Sequence, residues 1–263
     1  VTRPDVPSDR GVLRPESLPE FHRLPAIGAT ADLVRWFWIC RWQLPTGRVS
    51  RQEVIGFGAL NLVVQHDHVV VAGATTRISH RDLAGTGWAV GALLRPAAAG
   101  ALPIRPAEHL DTVTVVSAPD LHAAVSTEMT TGMGSPPDPA AAAETVGRWL
   151  RARASLTDEA LLANRAVTAL ESDPALIRVD QSAELFGISE RTLQRLTAKY
   201  VGLSPAALIR RRRLQEAAHR VRTRPDESLA EIAAELGYTD HAHMTRDFAS
   251  VLGFTPSRYR AGG

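Results

Sequence analysis

The sequence predicts an α+β chain built of two unlike parts: an N-terminal β-rich barrel or sandwich, then an all-α domain with two helix-turn-helix units joined by a linker helix. Three observations carry this. Short β-branched, apolar segments punctuated by Gly and Pro fill most of the first half. From Glu144 the pattern turns helical, and no strand signal returns. Finally, "ELFGISERTLQRLTAKYVGLSPAALIR" (184–210) is echoed by "ELGYTDHAHMTRDFASVLGFTPSRYR" (235–260), so one short helical pattern occurs twice.

The strand candidates come in order. "DLVRWFWICRW" alternates as a strand does and places Trp36, Trp38, Cys40 and Trp42 on one face, which is expected to be core because large aromatics bury themselves. "EVIGFGALNLVVQ", "HVVVAGATTRIS", "GWAVGALLRP" and "DTVTVVSAP" follow at strand-like lengths. "TTGMGSPPDPAAAAE" (130–144) reads as the loop that ends the β region. Next come "ETVGRWLRARA" and "DEALLANRAVTALESD", the latter capped by Thr157 with Asp158 and Glu159 in its first turn. The expected division is 1–140 β-rich, 141–174 connecting helices, and 175–263 the duplicated helical domain.

In the first copy, Gln181 to Phe186 forms a short helix, Gly187 turns, Ser189 caps a second helix to about Val201, and Gly202 ends it. In the second, Ser228 caps "LAEIAAEL", Gly237 turns, Thr239 or Asp240 caps a helix from His241 to Leu252, and Gly253 ends that one. Aligned on the closing glycines, Arg195 matches Arg246, Leu193 matches Met244, and Ser204-Pro205 matches Thr255-Pro256. Between the copies, "PAALIRRRRLQEAAHRVRT" opens with Pro at a first-turn position and buries Leu208, Leu214, Ala217, Ala218 and Val221 along one stripe. Its run Arg210 to Arg213 reads either as a solvated face or as phosphate contacts.

Two copies of a polar helix on a fixed spacer suit a periodic partner, and duplex DNA is the obvious one. Charge agrees. Residues 175–263 hold 14 basic against 10 acidic side chains, whereas residues 1–174 hold 16 against 18. The whole chain, 263 residues and 44% hydrophobic, has no apolar run of 18 residues, and its start "VTRPDVPSDRGVLRPESLPE" lacks a leader pattern, so a soluble, cytoplasmic protein without a membrane partner is expected.

With "GISERTLQRL", "LGYTDHAHMTRDF" and the closing "GFTPSRYR", residues 176–260 resemble the AraC/XylS family of bacterial transcriptional regulators. The first half, through "RWFWICRW", "GALNLVV", "VGALLRPAAAGAL" and "RPAEHLDTVTVV", looks like the β-rich, cupin-like sensor domain found ahead of such units in one subgroup. Thr197, Met244 and Ala249 depart from the residues usual in the family. The resemblance implies double-stranded promoter DNA as partner, a small-molecule effector and homodimerisation through the first domain, and RNA polymerase if the protein activates. The residues expected at DNA are Ser189, Arg191, Thr192, Gln194, Arg195 and Lys199 in the first unit, with Thr239, His241, Ala242, His243, Thr245 and Arg246 in the second. Arg suits guanine, Gln suits adenine, and Ala242 suits a thymine methyl; phosphate is the alternative target for each polar side chain.

Enzymatic readings find little support. His66 and His68 share a strand face but no carboxylate follows at ligand spacing, so no metal or other cofactor is expected. His241 and His243, two apart on a helix, diverge. Cys40, the sole cysteine, sits among aromatics as a small buried group and not as a nucleophile. "AGTGW" fits neither a phosphate loop nor a nucleophile elbow. The rival to DNA binding is a small-molecule-binding β-barrel whose helical part serves as a dimerisation or scaffold module.

Overall fold

Strand and helix segregate along the chain as the sequence predicts. The computed structural model describes Leu13, residues 20–102, 104–130 and 137–261. The proline-rich start, apart from Leu13 and Glu20, and residues 131–136 of the expected loop lie outside the described residues. Among the described residues, eight strands form two antiparallel sheets: β1 (Glu20–Pro25), β2 (Val34–Gln43), β3 (Val49–Val54), β4 (Asn61–Gln65), β5 (Val69–Ala72), β6 (Ser79–Ala84), β7 (Thr86–Leu94) and β8 (Val113–Val115). Six of them make one sheet in the order β1-β2-β7-β4-β5-β8, and β3 with β6 makes a two-stranded ribbon. The ribbon is tied to the sheet by Trp42 Nε1, which donates to the Ala84 carbonyl at 3.1 Å, and by Arg81 donating to the Gln65 amide oxygen.

Helices α1 (Pro119–Met129) and α2 (Pro139–Arg151) cover one face of the larger sheet. Leu121, Val125, Met129, Ala142, Val146 and Leu150 interlock there with Phe37, Ile39, Leu62, Val64 and Val90. This corrects the expected placement of the core. Trp36 and Cys40 are buried, but Trp38 and Trp42 are only half-buried and pack on a small cluster of Val63, Val70 and Ala89 on the other face. The reason lies opposite them. Gly91 and Gly87 have no side chain, and a Cβ there would lie 2.0 Å and 2.4 Å from the indoles of Trp38 and Trp42, so the rings lie across β7 while their N–H groups reach Asn61 and Ala84. Cys40 is buried as expected, and burial pushes its thiol up to about 12.

The remaining helices are α3 (Asp158–Ser172), α4 (Val179–Leu185), α5 (Glu190–Tyr200), α6 (Pro205–Thr223), α7 (Leu229–Glu235), α8 (His241–Leu252) and α9 (Pro256–Ala261). Their ends follow from capping chemistry. Thr157, Ser189, Ser204, Ser228 and Asp240 each accept a backbone N–H of the helix they start. Ser228 and Glu231 complete a reciprocal capping box. Two cores result. Ala166, Val167 and Leu170 of α3 join Leu193, Val201, Leu208 and Ile209, while Leu214, Ala217, Ala218 and Val221 join Met244, Phe248, Leu252 and Tyr259. The linker helix α6 therefore contributes its first half to one unit and its second half to the other.

The β-rich part is seamed onto both units. Ile55, fully buried, sits in the second unit's core, as does Leu13, whose carbonyl accepts from the Tyr259 hydroxyl at 2.7 Å. Gln215 Nε2 donates to the Ile55 carbonyl and Arg211 Nη1 to that of Gly56. On α3, Asn164 bridges the Asp32 carbonyl and the Ala97 N–H, and Glu171 accepts from Arg35 and from the Gly58 N–H, each at 2.8 Å. Thus α2 packs with the sheet and α3 with the helical units, although α3 and all but the first two residues of α2 fall in the stretch 141–174 read as a connector.

Candidate nucleic-acid interface

Each unit is two helices at a tight turn, and both turns are built alike. Gly187 (φ +62) donates to Glu184 O and Ile188 N to Ala183 O; Gly237 (φ +71) donates to Ala234 O and Tyr238 N to Ala233 O. A left-handed residue is needed at this point, and only glycine adopts it without steric cost. The second helix of each pair, α5 or α8, is anchored by an apolar residue with no exposure, Leu193 or Met244 at the aligned position. Thr197 is also fully buried and returns its hydroxyl to the Gln194 carbonyl at 3.2 Å, which is how a polar residue fits a position usually apolar.

The outward faces carry most of the expected contact residues. On α5, Arg191, Gln194, Arg195 and Lys199 are exposed; on α8, His241, Ala242 and Arg246 are exposed, with Thr239 just ahead of the helix. Thr192, His243 and Thr245 are half-buried. Ser189 accepts from the Thr192 N–H at 3.1 Å and pairs with its hydroxyl at 2.9 Å, so it is engaged as a cap. Between the two caps offered for α8, Asp240 takes the role and accepts from the His243 N–H at 2.6 Å. That bond, with the nearby Arg246 and His243 charges, lowers the Asp240 pKa. The His243 ring stands edge-on to Tyr238, 5.3 Å between centroids, and His241 and His243 form no metal cluster among the described residues.

The run Arg210 to Arg213 is not one solvated face: Arg210 is exposed, whereas Arg211 and Arg212 are buried and Arg213 is half-buried. Arg210 bonds Asp247 at 2.5 Å and Ser250 at 2.7 Å, Arg211 and Arg212 are buried against the carbonyls of Gly56, Asp173 and Leu176, and Arg213 stacks 3.8 Å above the Tyr238 ring. Carbonyls at the seam draw guanidinium groups inward, since five fixed N–H groups satisfy several acceptors at once. The run holds α6 to its neighbours.

The sequence reading missed one participant. Glu159, in the first turn of α3, accepts from Arg195 Nη1 at 2.8 Å, from Lys199 Nζ at 2.5 Å and from the Tyr200 hydroxyl at 3.1 Å. The hydrogen bonds from Lys199 and Arg195 bring its pKa down to about 2. A carboxylate lowered in the folded state contributes stability above its ordinary value of 4.5 and loses it as pH falls toward 2, so the contact is intact throughout the neutral range. An acid at a helix N-terminus is already accounted for by the helix dipole, and nothing in the local pattern pointed to partners 36 to 41 residues away.

A model described as a helix-turn-helix domain matches residues 182–262, and one described as a domain of unknown function (DUF6597) matches residues 13–115. The probable transcription factor PqrA of Proteus vulgaris is 33% identical over 87 residues, which is 33% of this chain and 70% of PqrA. The transcriptional activator RhaS of Enterobacter sp. strain 638 is 35% identical over 80 residues, 30% of this chain. The chain spans only 28% of RhaS, and 27% of an HTH-type regulator from Haemophilus influenzae that is 33% identical over 82 residues. Among solved structures, the DNA-binding domain of AdpA in complex with a target DNA is 28% identical with a TM-score of 0.35, covering 38% of this chain and 90% of that one. ToxT of Vibrio cholerae O395 is 11% identical with a TM-score of 0.39, covering 92% and 95%. With the matched domain running from within α4 through both second helices, and most of PqrA aligned at this identity, the chain belongs to the AraC/XylS family of transcriptional regulators.

Proposed function

We propose that this protein binds promoter DNA sequence-specifically and regulates transcription, with α5 and α8 entering two successive major grooves on one face of the duplex. One observation carries the reading: two capped helices with exposed polar faces, Arg191 and Gln194 on one and His241, Ala242 and Arg246 on the other, are joined by a continuous 19-residue helix that shares both cores. The binding itself involves no catalysis. The division of labour that follows gives 1–140 to effector sensing or self-association, 175–263 to DNA, and 141–174 to the connection between them. A cytoplasmic location, a small-molecule effector, a homodimer and contact with RNA polymerase when activating belong to the same proposal, supported by family membership.

The direct test is to select DNA fragments with the purified protein and titrate the selected site in a mobility-shift assay at rising salt. Retardation that weakens steeply with salt supports the reading. No retardation at low salt favours the rival scaffold role for the helical part. Arg246→Ala is expected to cost about 1–3 kcal/mol of specific binding and to relax preference at one position of the second sub-site. Arg246 is suited to this test because it is exposed and hydrogen-bonded to no carboxylate among the described residues. A loss that is uniform across sequences, with the log-log salt slope reduced by about one, would assign it to phosphate instead.

A further inference from the structure

We infer that Arg195, Lys199 and Tyr200 form a clasp for a DNA backbone phosphate, and that Glu159 occupies this clasp and restrains binding by the first unit. The inference rests on the DNA-binding reading and adds its regulation. Three donors from one face of α5 converge on one carboxylate, at 2.8, 2.5 and 3.1 Å, as donors converge on a phosphate oxygen. Lys199 and Arg195 remain more than half exposed, so a phosphate can reach them once the carboxylate leaves.

The duplication supplies an internal comparison. Aligned with Arg195, Lys199 and Tyr200 are Arg246, Ser250 and Val251, and among the described residues the second unit has neither the clasp nor an acid hydrogen-bonded to Arg246. The contact is therefore not a shared requirement of the helix-turn-helix. Glu159 itself lies outside the matched domain, which begins at residue 182. It is carried by α3, which Asn164, Thr168 and Glu171 pin to the β-rich part. The body of α3 stays in the first unit's core through Ala166, Val167 and Leu170, so only its exposed first turn has to move: displacing Glu159 opens the clasp, and phosphate binding in turn favours the displaced turn; the two are reciprocal.

The experiment compares full-length wild type, Glu159→Gln and Asp158→Asn by fluorescence anisotropy on a duplex of random sequence and on a selected site, across a salt series. Asp158 is the exposed neighbouring acid, and its change removes the same charge without touching the clasp. Glu159→Gln is expected to bind about 5- to 10-fold tighter near 0.15 M salt, with a log-log salt slope steeper by about one to two, because two freed cations now displace counterions. Asp158→Asn is expected to stay within about twofold of wild type. In Glu159→Gln combined with Arg195→Ala and Lys199→Ala, the gain over the Arg195→Ala, Lys199→Ala pair should vanish. Circular dichroism checks that each variant is folded. Wild-type binding with an unchanged or weaker Glu159→Gln, or an equal gain in Asp158→Asn, overturns the inference and leaves the DNA reading standing. Failure of both wild type and Glu159→Gln to bind any duplex overturns both.

Discussion

Inserting five base pairs between the two sub-sites of a selected operator is expected to weaken binding by about 10²- to 10⁴-fold, the whole advantage of engaging both units at once. The physical reason is α6. At about 1.5 Å per residue its 19 residues span roughly 28 Å, close to the roughly 34 Å of one duplex turn that separates successive major grooves on one face. The helix cannot swivel freely at either end. Leu208 and Ile209 are locked into the first core, Leu214 to Val221 into the second, and Arg210 and Arg213 clamp it to Asp247 and Tyr238. Half a turn of extra duplex carries the second sub-site to the opposite face, and one unit must release. Scrambling the intervening bases without changing their number is expected to cost far less, and the full chain should keep single-unit affinity on the expanded site. Equal titrations of original and expanded sites would show that α6 bends or that one unit alone binds.

Glu171→Ala is expected to destabilise the chain by about 3–5 kcal/mol, measured by urea unfolding. Glu171 is nearly buried and faces Arg35, which is itself only 11% exposed and held 4.8 and 4.9 Å from the rings of Trp36 and Phe57. Removing the carboxylate takes the ion pair to Glu171 from a guanidinium in a poorly hydrated site and takes the acceptor from the buried Gly58 N–H. Glu171→Gln keeps an acceptor for Gly58 and should lose less. As a reference, Glu144→Gln breaks an ion pair to Arg151 whose carboxylate is 57% exposed, and should cost within about 1 kcal/mol. If Glu171→Ala fell within that range, water would be reaching Arg35 and the seam between the β-rich part and α3 would be looser than its geometry implies.

The elements of the helical half were legible because their causes are local. Ser189 and Ser228 are followed by helices because their hydroxyls satisfy N–H groups two or three residues on, and Gly187, Gly237 and Gly253 mark turns because their left-handed φ is set within one residue. The exposed positions of α5 and α8 follow from which residues of the same helices are buried, so Arg191, Gln194, Ala242 and Arg246 fall on outward faces as read. Helical period also gave the stripe from Leu208 to Val221.

What the tertiary structure alone decided is the partner of each long polar or amphipathic side chain. Arg210 to Arg213 look alike in sequence, yet one pairs with Asp247, two serve buried carbonyls and one stacks on Tyr238, because the acceptors arrive from segments 25 to 155 residues distant. The Trp38 face lost its place as the main core to the Phe37 face because two helices happened to cover that side, while Gly87 and Gly91 made room for the indoles on the other. Glu159 reads as a helix-start acid, and only folding puts Arg195, Lys199 and Tyr200 around it. Periodicity and capping fix which way a residue faces within its own element; what it meets there depends on long-range packing, which a local pattern does not encode.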